Sequence, residues 1–306
     1  MIKNIVSCGC SWMYGSGCYY PEDSRVSALL ANKYDAEDIN MSKDGGNNDR
    51  SVRKIVTWAI ENKDKLDETI FILGLTRPER YEIWDEEKGW YGGGSYYLKR
   101  TEKERSNPKL RFLSGKTEKL MAKYHFNTLR EYDRTLRNVL YLMGFLDLLN
   151  CKYLIFDSIA CMRPNFDGWE DYMEDRWVSH YKGAPADSRM LYLEKLVERG
   201  RGIESNPLAY GKGMSSPQDY DILQYVMDSP LYQEILTRKN FYNKQSWAEF
   251  LLPKGGGLTA AECEIAKAAA EKEGREFYQD WGHPNARGNK LWFEVLSNYA
   301  EENKLW

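Results

Sequence analysis

The sequence lacks the features that mark several common classes of protein. Its 306 residues carry a formal net charge of −3, which gives no electrostatic reason to expect binding to nucleic acid or to an anionic membrane. The longest apolar run, residues 139–149, is interrupted by Gly144 and Asp147 and is too short to cross a bilayer. The N-terminus lacks the basic start and unbroken apolar stretch of a signal peptide. We therefore expect a cytoplasmic protein that binds neither nucleic acid nor membrane.

Cysteine is present but forms no recognisable framework. The six cysteines are scattered along the chain, which favours reduced thiols in a cytosol-like compartment over a disulfide-stabilised domain. Cys8, Cys10 and Cys18 are close in sequence, but no histidine lies near them to complete a metal site. We expect neither a metal nor a cofactor.

Histidine is scarce, which narrows the search for a catalytic base. The chain contains only His125, His180 and His283, and imidazole is the usual base near neutral pH. His283 lies three residues after Asp280, in a loop with a glycine and a proline. That spacing lets the carboxylate of Asp280 accept the Nδ1 proton, so that Nε2 faces a nucleophile. The alternative is that His283 lies at the start of a helix and has no catalytic role.

Ser11 follows the first strand-like segment, residues 2–8, within a turn that has glycines at positions 9, 15 and 17. In an open parallel α/β sheet, ligands bind at the C-terminal ends of the strands. A serine at that position presents both its hydroxyl and its own backbone N–H, and a serine nucleophile requires both. The alternative is an ordinary turn serine.

These motifs together resemble those of the SGNH (GDSL-type) hydrolases. The resemblance rests on Gly-x-Ser after the first strand, Asn…Gly after the second, Gly-x-x-x after the third, and Asp-x-x-His-Pro before the last helix. Order and spacing match over residues 2–80 and again from about residue 275 to the end. The resemblance implies a three-layer α/β/α fold with a flavodoxin-like, doubly wound parallel sheet. It also implies a catalytic triad of Ser11, Asp280 and His283.

The sequence departs from that family at two places. Cys10 stands where an aspartate usually precedes the serine, but that aspartate is not part of the triad. The third block usually reads Gly-x-Asn-Asp, whereas this chain has Thr76 and Arg77 at the last two positions. The asparagine that helps to bind the oxyanion is therefore missing from its expected place. This variant resembles a bacteriophage-encoded branch, for which the location would be the virion or the host cytoplasm.

The loop over residues 42–48 precedes an amphipathic helix, with Asn48 or Asp49 as the expected N-cap. The positive end of a helix is a good place to stabilise a developing oxyanion. Gly45 corresponds to the second-block glycine of the family, with Gly46 as the alternative. Asn47 or Asn48 could supply the missing side-chain amide, or could simply form a turn before the helix.

The third strand-like segment, residues 69–74, is a continuous apolar run of the kind that is buried on both faces of a parallel sheet. It delivers Thr76 and Arg77 to the edge where Ser11 is expected. Thr76 is a further candidate for the side-chain donor. Arg77 or Arg80 could hold an anionic or sugar substrate, or either could be an exposed loop arginine.

Strand-like and helix-like segments alternate, which predicts a right-handed, doubly wound parallel sheet. We assign residues 1–160 and 258–306 to this α/β domain, and residues 161–257 to a mainly helical insertion. The insertion could cap the cleft or form a dimer interface. Within the α/β domain, residues 85–123 show no regular pattern and are interpreted as a long irregular insertion.

The sequence favours a serine esterase or acylhydrolase that uses Ser11, His283 and Asp280. The 22 tyrosines and 10 tryptophans, with the family resemblance, suggest a glycan ester such as an O-acetyl group as substrate, although they could equally fill a core or an interface. Two alternatives stay open: a non-catalytic binding or virion-structural module, and an acyltransferase using the same triad. The sequence does not define the oligomeric state.

Overall fold

A five-stranded parallel sheet runs through the centre of the protein. The computed structural model describes residues 1–78, 80–85, 89–95, 128–158, 228–244, 246–251 and 283–306, and short stretches between 268 and 280. The sheet strands are β1 (Asn4–Cys8), β2 (Glu37–Asn40), β3 (Thr69–Leu75), β6 (Lys152–Asp157) and β7 (Phe241–Tyr242). Their spatial order is β2-β1-β3-β6-β7, and all neighbours are parallel. Counted along the sheet strands alone, this is the flavodoxin-like order 2-1-3-4-5, so the predicted doubly wound α/β class is confirmed.

Helices cover both faces of this sheet. The described helices are α1 (Ser11–Tyr14), α2 (Pro21–Ser24), α3 (Val26–Tyr34), α4 (Asn48–Glu61), α5 (Thr128–Leu148), α6 (Pro230–Thr237), α7 (Trp247–Leu251) and α8 (Ala286–Glu302), with a 3-10 helix over Lys63–Glu68. Alternate strand residues point to opposite faces. Ile70 and Ile72 pack with α1, α3, α7 and α8, whereas Phe71 and Leu73 pack with α4, α5 and α6. The result is a three-layer α/β/α arrangement with a core on each side of the sheet.

Asparagine side chains define where the two helices nearest the candidate site begin. Asn47 Oδ1 accepts the Arg50 N–H at 2.8 Å and caps α4. The expected caps, Asn48 and Asp49, are instead the first two residues of that helix. Asn285 Oδ1 accepts the N–H groups of Arg287 and Gly288, each at 3.1 Å, and caps α8. Both caps satisfy backbone donors that a helix leaves unpaired in its first turn.

A β-hairpin overlaps the start of residues 85–123, the region predicted to be irregular. Strands β4 (Arg80–Asp85) and β5 (Gly89–Ser95) pair antiparallel, with Asp85 opposite Gly89. Three consecutive glycines lie in β5 and carry no side chains, so the alternation that marks a strand is absent from the sequence there. The expectation of irregular structure is therefore wrong for residues 89–95. Residues 96–127 lie outside the described part of the chain.

The C-terminal part of the predicted insertion belongs to the α/β domain. Phe241 lies opposite Ile155 and extends the central sheet, although residues 161–257 were expected to lie apart from it. Trp247 and Leu251 are fully buried in the core beneath α8. A two-residue strand is too short to show a period in the sequence, which explains the misplaced boundary. The range 161–227 lies outside the described residues, and its assignment as a helical insertion stays a prediction.

Two remaining strands lie apart from the central sheet. Strands β8 (Gln279–Asp280) and β9 (His283–Pro284) form a separate antiparallel ribbon immediately before α8.

Among the helices that the structure describes, none has the length and apolar character needed to cross a membrane.

Candidate active site

Ser11 and His283 meet at the C-terminal edge of the sheet. Ser11 is the first residue of α1, just beyond β1, and His283 opens β9. Ser11 Oγ and His283 Nε2 lie 2.9 Å apart although 272 residues separate them in the chain. Ser11 is buried and His283 is half-buried. This is the distance and pairing expected of a serine nucleophile and its general base.

The turn that carries Ser11 is fixed by its buried neighbours. Cys10, in an extended conformation, is the N-cap of α1, and its carbonyl accepts the Tyr14 N–H at 2.9 Å. Trp12 and Met13 are buried, and Trp12 packs edge-on against Trp247 with ring centroids 5.4 Å apart. Because Ser11 opens the helix, its own N–H lies outside the intrahelical hydrogen-bond ladder. Its hydroxyl and its N–H are therefore both presented by a rigid element.

His283 is placed by α8. Asn285 caps the helix two residues later, and Trp292 on the same helix is fully buried. Trp292 stacks on Trp247 with centroids 6.0 Å apart and an interplanar angle of 7°. The backbone of Asp280 lies opposite His283 across the ribbon of β8 and β9. The side chain of Asp280 lies outside the described part of the structure, so its contact with the imidazole stays a prediction.

The loop before α4 is pressed against the turn that carries Ser11. Gly46 donates its N–H to the Lys43 carbonyl at 2.8 Å, closing a turn in which Gly45 has φ +67°. This left-handed conformation favours glycine. A Cβ on Gly46 would lie 2.6 Å from the Gly9 carbonyl oxygen, so the two loops touch through their backbones. The Gly46 N–H is used within the turn, which leaves Gly45, the exposed glycine, as the candidate backbone donor.

The two asparagines at the start of α4 have different contacts. Asn47 is fully buried; its Oδ1 caps the helix, and its Nδ2 has no hydrogen-bond partner among the described residues. Asn48 binds the backbone of Thr76 with both ends of its amide. Its Oδ1 accepts the Thr76 N–H at 2.9 Å, and its Nδ2 donates to the Thr76 carbonyl at 2.7 Å. Asn48 thus fastens α4 to the end of β3.

Thr76 and Arg77 lie at the end of β3, as expected from the sequence. Thr76 is fully buried, and its Oγ1 has no hydrogen-bond partner among the residues that the structure describes. Arg77 is only 8% exposed, so the interpretation of a solvent-exposed loop arginine is wrong. Its burial beside the strand end requires polar contacts for the guanidinium.

Two further polar residues, Asn40 and Arg80, support these loops. Asn40, at the end of β2, donates to the Met13 carbonyl at 2.9 Å and accepts the Ser42 N–H at 2.8 Å. Arg80 donates from Nη1 to the Gly46 carbonyl at 3.1 Å. For Asn40 the signal in the sequence is its position, because a polar residue at the end of a parallel strand lies at the ligand-binding edge.

Cys8, the last residue of β1, is a buried thiol that stays protonated. Burial raises the pKa of Cys8, although Ser51 and Arg50 oppose that shift. Arg50 Nη1 lies 3.8 Å from Cys8 Sγ and donates to the Met41 carbonyl at 2.7 Å. A buried neutral thiol is a poor nucleophile, so Cys8 is a weaker candidate nucleophile than Ser11. Among the described residues, no group of three or more His, Cys, Asp or Glu could hold a metal ion.

Comparison with known proteins gives matches among solved structures but none by sequence. No known family model and no curated protein matches the sequence. One similar solved structure is the psychrotrophic esterase EstA from Pseudoalteromonas sp., inhibited by monoethylphosphonate. The match has 12% sequence identity and a TM-score of 0.41, and it covers 98% of this chain and 97% of that one. At this level of similarity the match identifies neither the activity nor the site residues of this chain. The bacteriophage association stays a prediction.

Proposed function

We propose that the protein is a serine hydrolase that acts on carboxylic esters. The observation that carries this proposal is the 2.9 Å contact between Ser11 Oγ and His283 Nε2. An ordinary turn serine needs no histidine, yet the fold brings one of the chain's three histidines to this hydroxyl. The contact also lies at the C-terminal edge of a parallel sheet, where α/β proteins bind ligands.

In the proposed reaction, Ser11 Oγ attacks the ester carbonyl while His283 Nε2 accepts the hydroxyl proton. The tetrahedral adduct then collapses, the ester C–O bond breaks, and His283 gives the proton to the leaving alcohol. Water attacks the acyl-serine with His283 again as base, which releases the acid and restores Ser11. In this proposal Asp280 accepts the Nδ1 proton and holds the imidazole in the required tautomer.

The developing oxyanion is proposed to bind the backbone N–H groups of Ser11 and Gly45. Of the side-chain candidates, Asn48 already binds the Thr76 backbone through both ends of its amide. Asn47 Nδ2 and Thr76 Oγ1 lack partners among the described residues, so a substrate oxygen would supply one. Both atoms are buried, so a substrate reaches them only if the residues around them move.

The proposed substrate class is a glycan ester, with O-deacetylation as the favoured reaction. Three tyrosines that follow Ser11 closely in sequence, Tyr14, Tyr19 and Tyr20, expose large parts of their side chains. Such rings offer an apolar face and a polar tip, which suits a sugar ring. Arg77 is the proposed contact for an anionic or hydroxyl-rich portion of the substrate.

Labelling with a fluorophosphonate and hydrolysis of a short-chain aryl ester test the proposal. The wild-type protein should react with the probe and hydrolyse the ester, and Ser11→Ala should do neither. A screen of acetylated sugars against simple acyl esters then tests the substrate class. Absence of labelling and of hydrolysis across this screen would remove the hydrolase proposal.

A non-catalytic binding module is the second candidate, and the third block favours it because Thr76 replaces the expected asparagine. Such a module would bind a glycan, and Ser11 would not react with the fluorophosphonate probe.

Acyl transfer to an acceptor other than water would use the same residues. Product analysis would then detect acylated acceptor in place of free acid.

A further inference from the structure

The segment that follows Ser11 is packed directly against the strand that carries His283. A Cβ on Gly17 would lie 2.4 Å from the Pro284 carbonyl oxygen and 2.7 Å from that of His283. Any larger residue at position 17 would push these segments apart. The same segment is tied to Ser11, because the N–H groups of Gly15 and Ser16 each donate to the Ser11 carbonyl at 3.0 Å.

One buried amide bridges the two segments. Asn289 lies in the first turns of α8 and is fully buried. Its Nδ2 lies 3.0 Å from Cys18 Sγ, on the Ser11 side. The same atom lies 3.3 Å from the Pro284 carbonyl and 3.0 Å from the Asn285 carbonyl, on the His283 side. Cys18 Sγ also lies 3.9 Å from the Pro284 carbonyl, so the thiol contacts both the amide and the strand.

We propose that Asn289 and Cys18 are positioning residues that set the distance between Ser11 and His283, an inference that rests on the proposed esterase function. Ser11 follows a central strand, but β9 belongs to a separate ribbon. The pairing of the main sheet therefore does not fix His283 relative to Ser11. The contact between Asn289 and Cys18 joins positions 271 residues apart and couples the two sides directly.

The chemistry of the bridge suits a role in geometry more than one in stability. Asn289 Oδ1 is buried without a hydrogen-bond partner among the described residues, which costs free energy. A small apolar residue would avoid that cost but would also lose the link to Cys18. Misplacing a reacting group by about 1 Å can cost roughly a hundredfold in rate. Loss of the bridge should therefore reduce turnover far more than it reduces stability.

The kinetic test compares Asn289→Ala, Cys18→Ala and Cys18→Ser with a matched control, Asn303→Ala. Asn303 also lies at α8 and donates to a carbonyl four residues back, that of Tyr299 at 2.8 Å, at the opposite end of the helix. We expect Asn289→Ala to lower kcat by about tenfold to a hundredfold with little change in KM. Cys18→Ser, which keeps a hydrogen-bond acceptor, should retain more activity than Cys18→Ala. The control should behave as wild type.

Retention of wild-type kcat in both Asn289→Ala and Cys18→Ala would overturn the proposal. An equal loss in the Asn303→Ala control would also overturn it, because the effect would then belong to the helix in general. Melting temperatures of all variants show whether a fall in kcat follows the fold or the site. If Asn289→Ala does not fold, the Cys18→Ala and Cys18→Ser pair carries the same test.

A second measurement does not depend on catalysis. The ¹⁵N resonance of His283 Nε2 should shift when Ser11→Ala removes its hydrogen-bond partner. In the Asn289→Ala background, the same Ser11→Ala change should have a smaller effect, because the contact is already loosened. An equal shift in both backgrounds, or none in either, contradicts the positioning role even if the protein is an active esterase. If the shift caused by Ser11→Ala is smaller in the Asn289→Ala background but the protein hydrolyses no ester, only the proposed function is refuted.

Discussion

Ser11 and His283 are held in place by different kinds of structure. Ser11 directly follows β1, which is paired on both edges in the middle of the central sheet. His283 lies on a two-residue strand of a separate ribbon and depends on the helix behind it. The Ser11 side is thus held by the backbone hydrogen bonds of the main sheet together with buried side chains, whereas the His283 side has no support from the pairing of that sheet. We expect the two sides to differ in how readily mutation displaces them.

The largest effect should come from removing the proposed nucleophile. Ser11→Ala should lower ester hydrolysis by about a thousandfold or more, because the covalent route is lost. The melting temperature should stay near wild type, since β1 and the buried Trp12 and Met13 hold the turn without the hydroxyl. Hydrolysis of a short-chain aryl ester and thermal unfolding measure both effects. Ser24→Ala, at a half-buried helical serine that donates to the Tyr20 carbonyl, is the matched control.

Equal hydrolysis by wild type and Ser11→Ala, with unchanged melting, would favour the binding module. A large fall in melting temperature would contradict the view that β1 and the buried residues of the turn hold the Ser11 side without the hydroxyl.

The next effect separates the proposed base, His283, from its proposed orienting residue, Asp280. His283→Ala should approach the loss seen for Ser11→Ala, because the serine then has no base. Asp280→Asn should retain about tenfold to a hundredfold more activity than His283→Ala, because the imidazole is still present. The measurement is kcat/KM for all three variants under identical conditions. Full activity in Asp280→Asn would remove this residue from the proposed mechanism.

A smaller effect distinguishes the neighbouring asparagines on the Ser11 side. Asn48→Ala should destabilise the protein by about 1–3 kcal/mol, because two buried backbone groups of Thr76 lose their partner. Asn47→Ala removes a helix cap and should cost about 1 kcal/mol. If Asn47 also binds the oxyanion, the same change should lower kcat by about a hundredfold.

Urea unfolding and aryl ester kinetics on both variants separate these roles. Unchanged turnover in Asn47→Ala, with only the loss of stability, would leave the backbone N–H groups as the oxyanion donors. A strong fall in kcat confined to Asn48→Ala would show that Asn48, and not Asn47, binds the oxyanion.

The same contrast explains what could be predicted from the sequence. The order and class of the main strands follow from continuous apolar runs such as residues 69–74, because burial on both faces leaves a pattern in one segment. Ser11 and His283 are recognisable as candidates because glycine, histidine and proline mark their loops. β7 and the hairpin were missed because a two-residue strand and a run of glycines carry no period. The bridge from Cys18 to Asn289 was missed because neither residue carries a local signal, and only the tertiary fold brings them together.

The smallest predicted effect concerns Asp49, in the first turn of α4. This helix follows the loop that contacts the turn carrying Ser11. Burial raises the pKa of this carboxyl above its ordinary value, while Arg134 and Asn138 oppose the shift. Asp49 Oδ2 lies 3.3 Å from Arg134 Nε, and Oδ1 accepts from Asn138 Nδ2 at 2.8 Å. Between the unfolded pKa of about 3.9 and the higher folded value, the native state binds more protons than the unfolded state. Stability contributed by Asp49 therefore falls as the pH rises through this window.

Asp49→Asn removes that titration. The difference in unfolding free energy between Asp49→Asn and wild type should therefore shift in favour of the variant as the pH rises from about 4. Urea unfolding at a series of pH values measures the difference, and Asp64→Asn, at an exposed position in the 3-10 helix, is the control. The variant also loses its ion pair with Arg134, which offsets part of the gain and keeps the effect small. A difference that moved against the variant with rising pH would show that Arg134 and Asn138 outweigh burial, and that α4 is held behind Ser11 by charge as well as by packing.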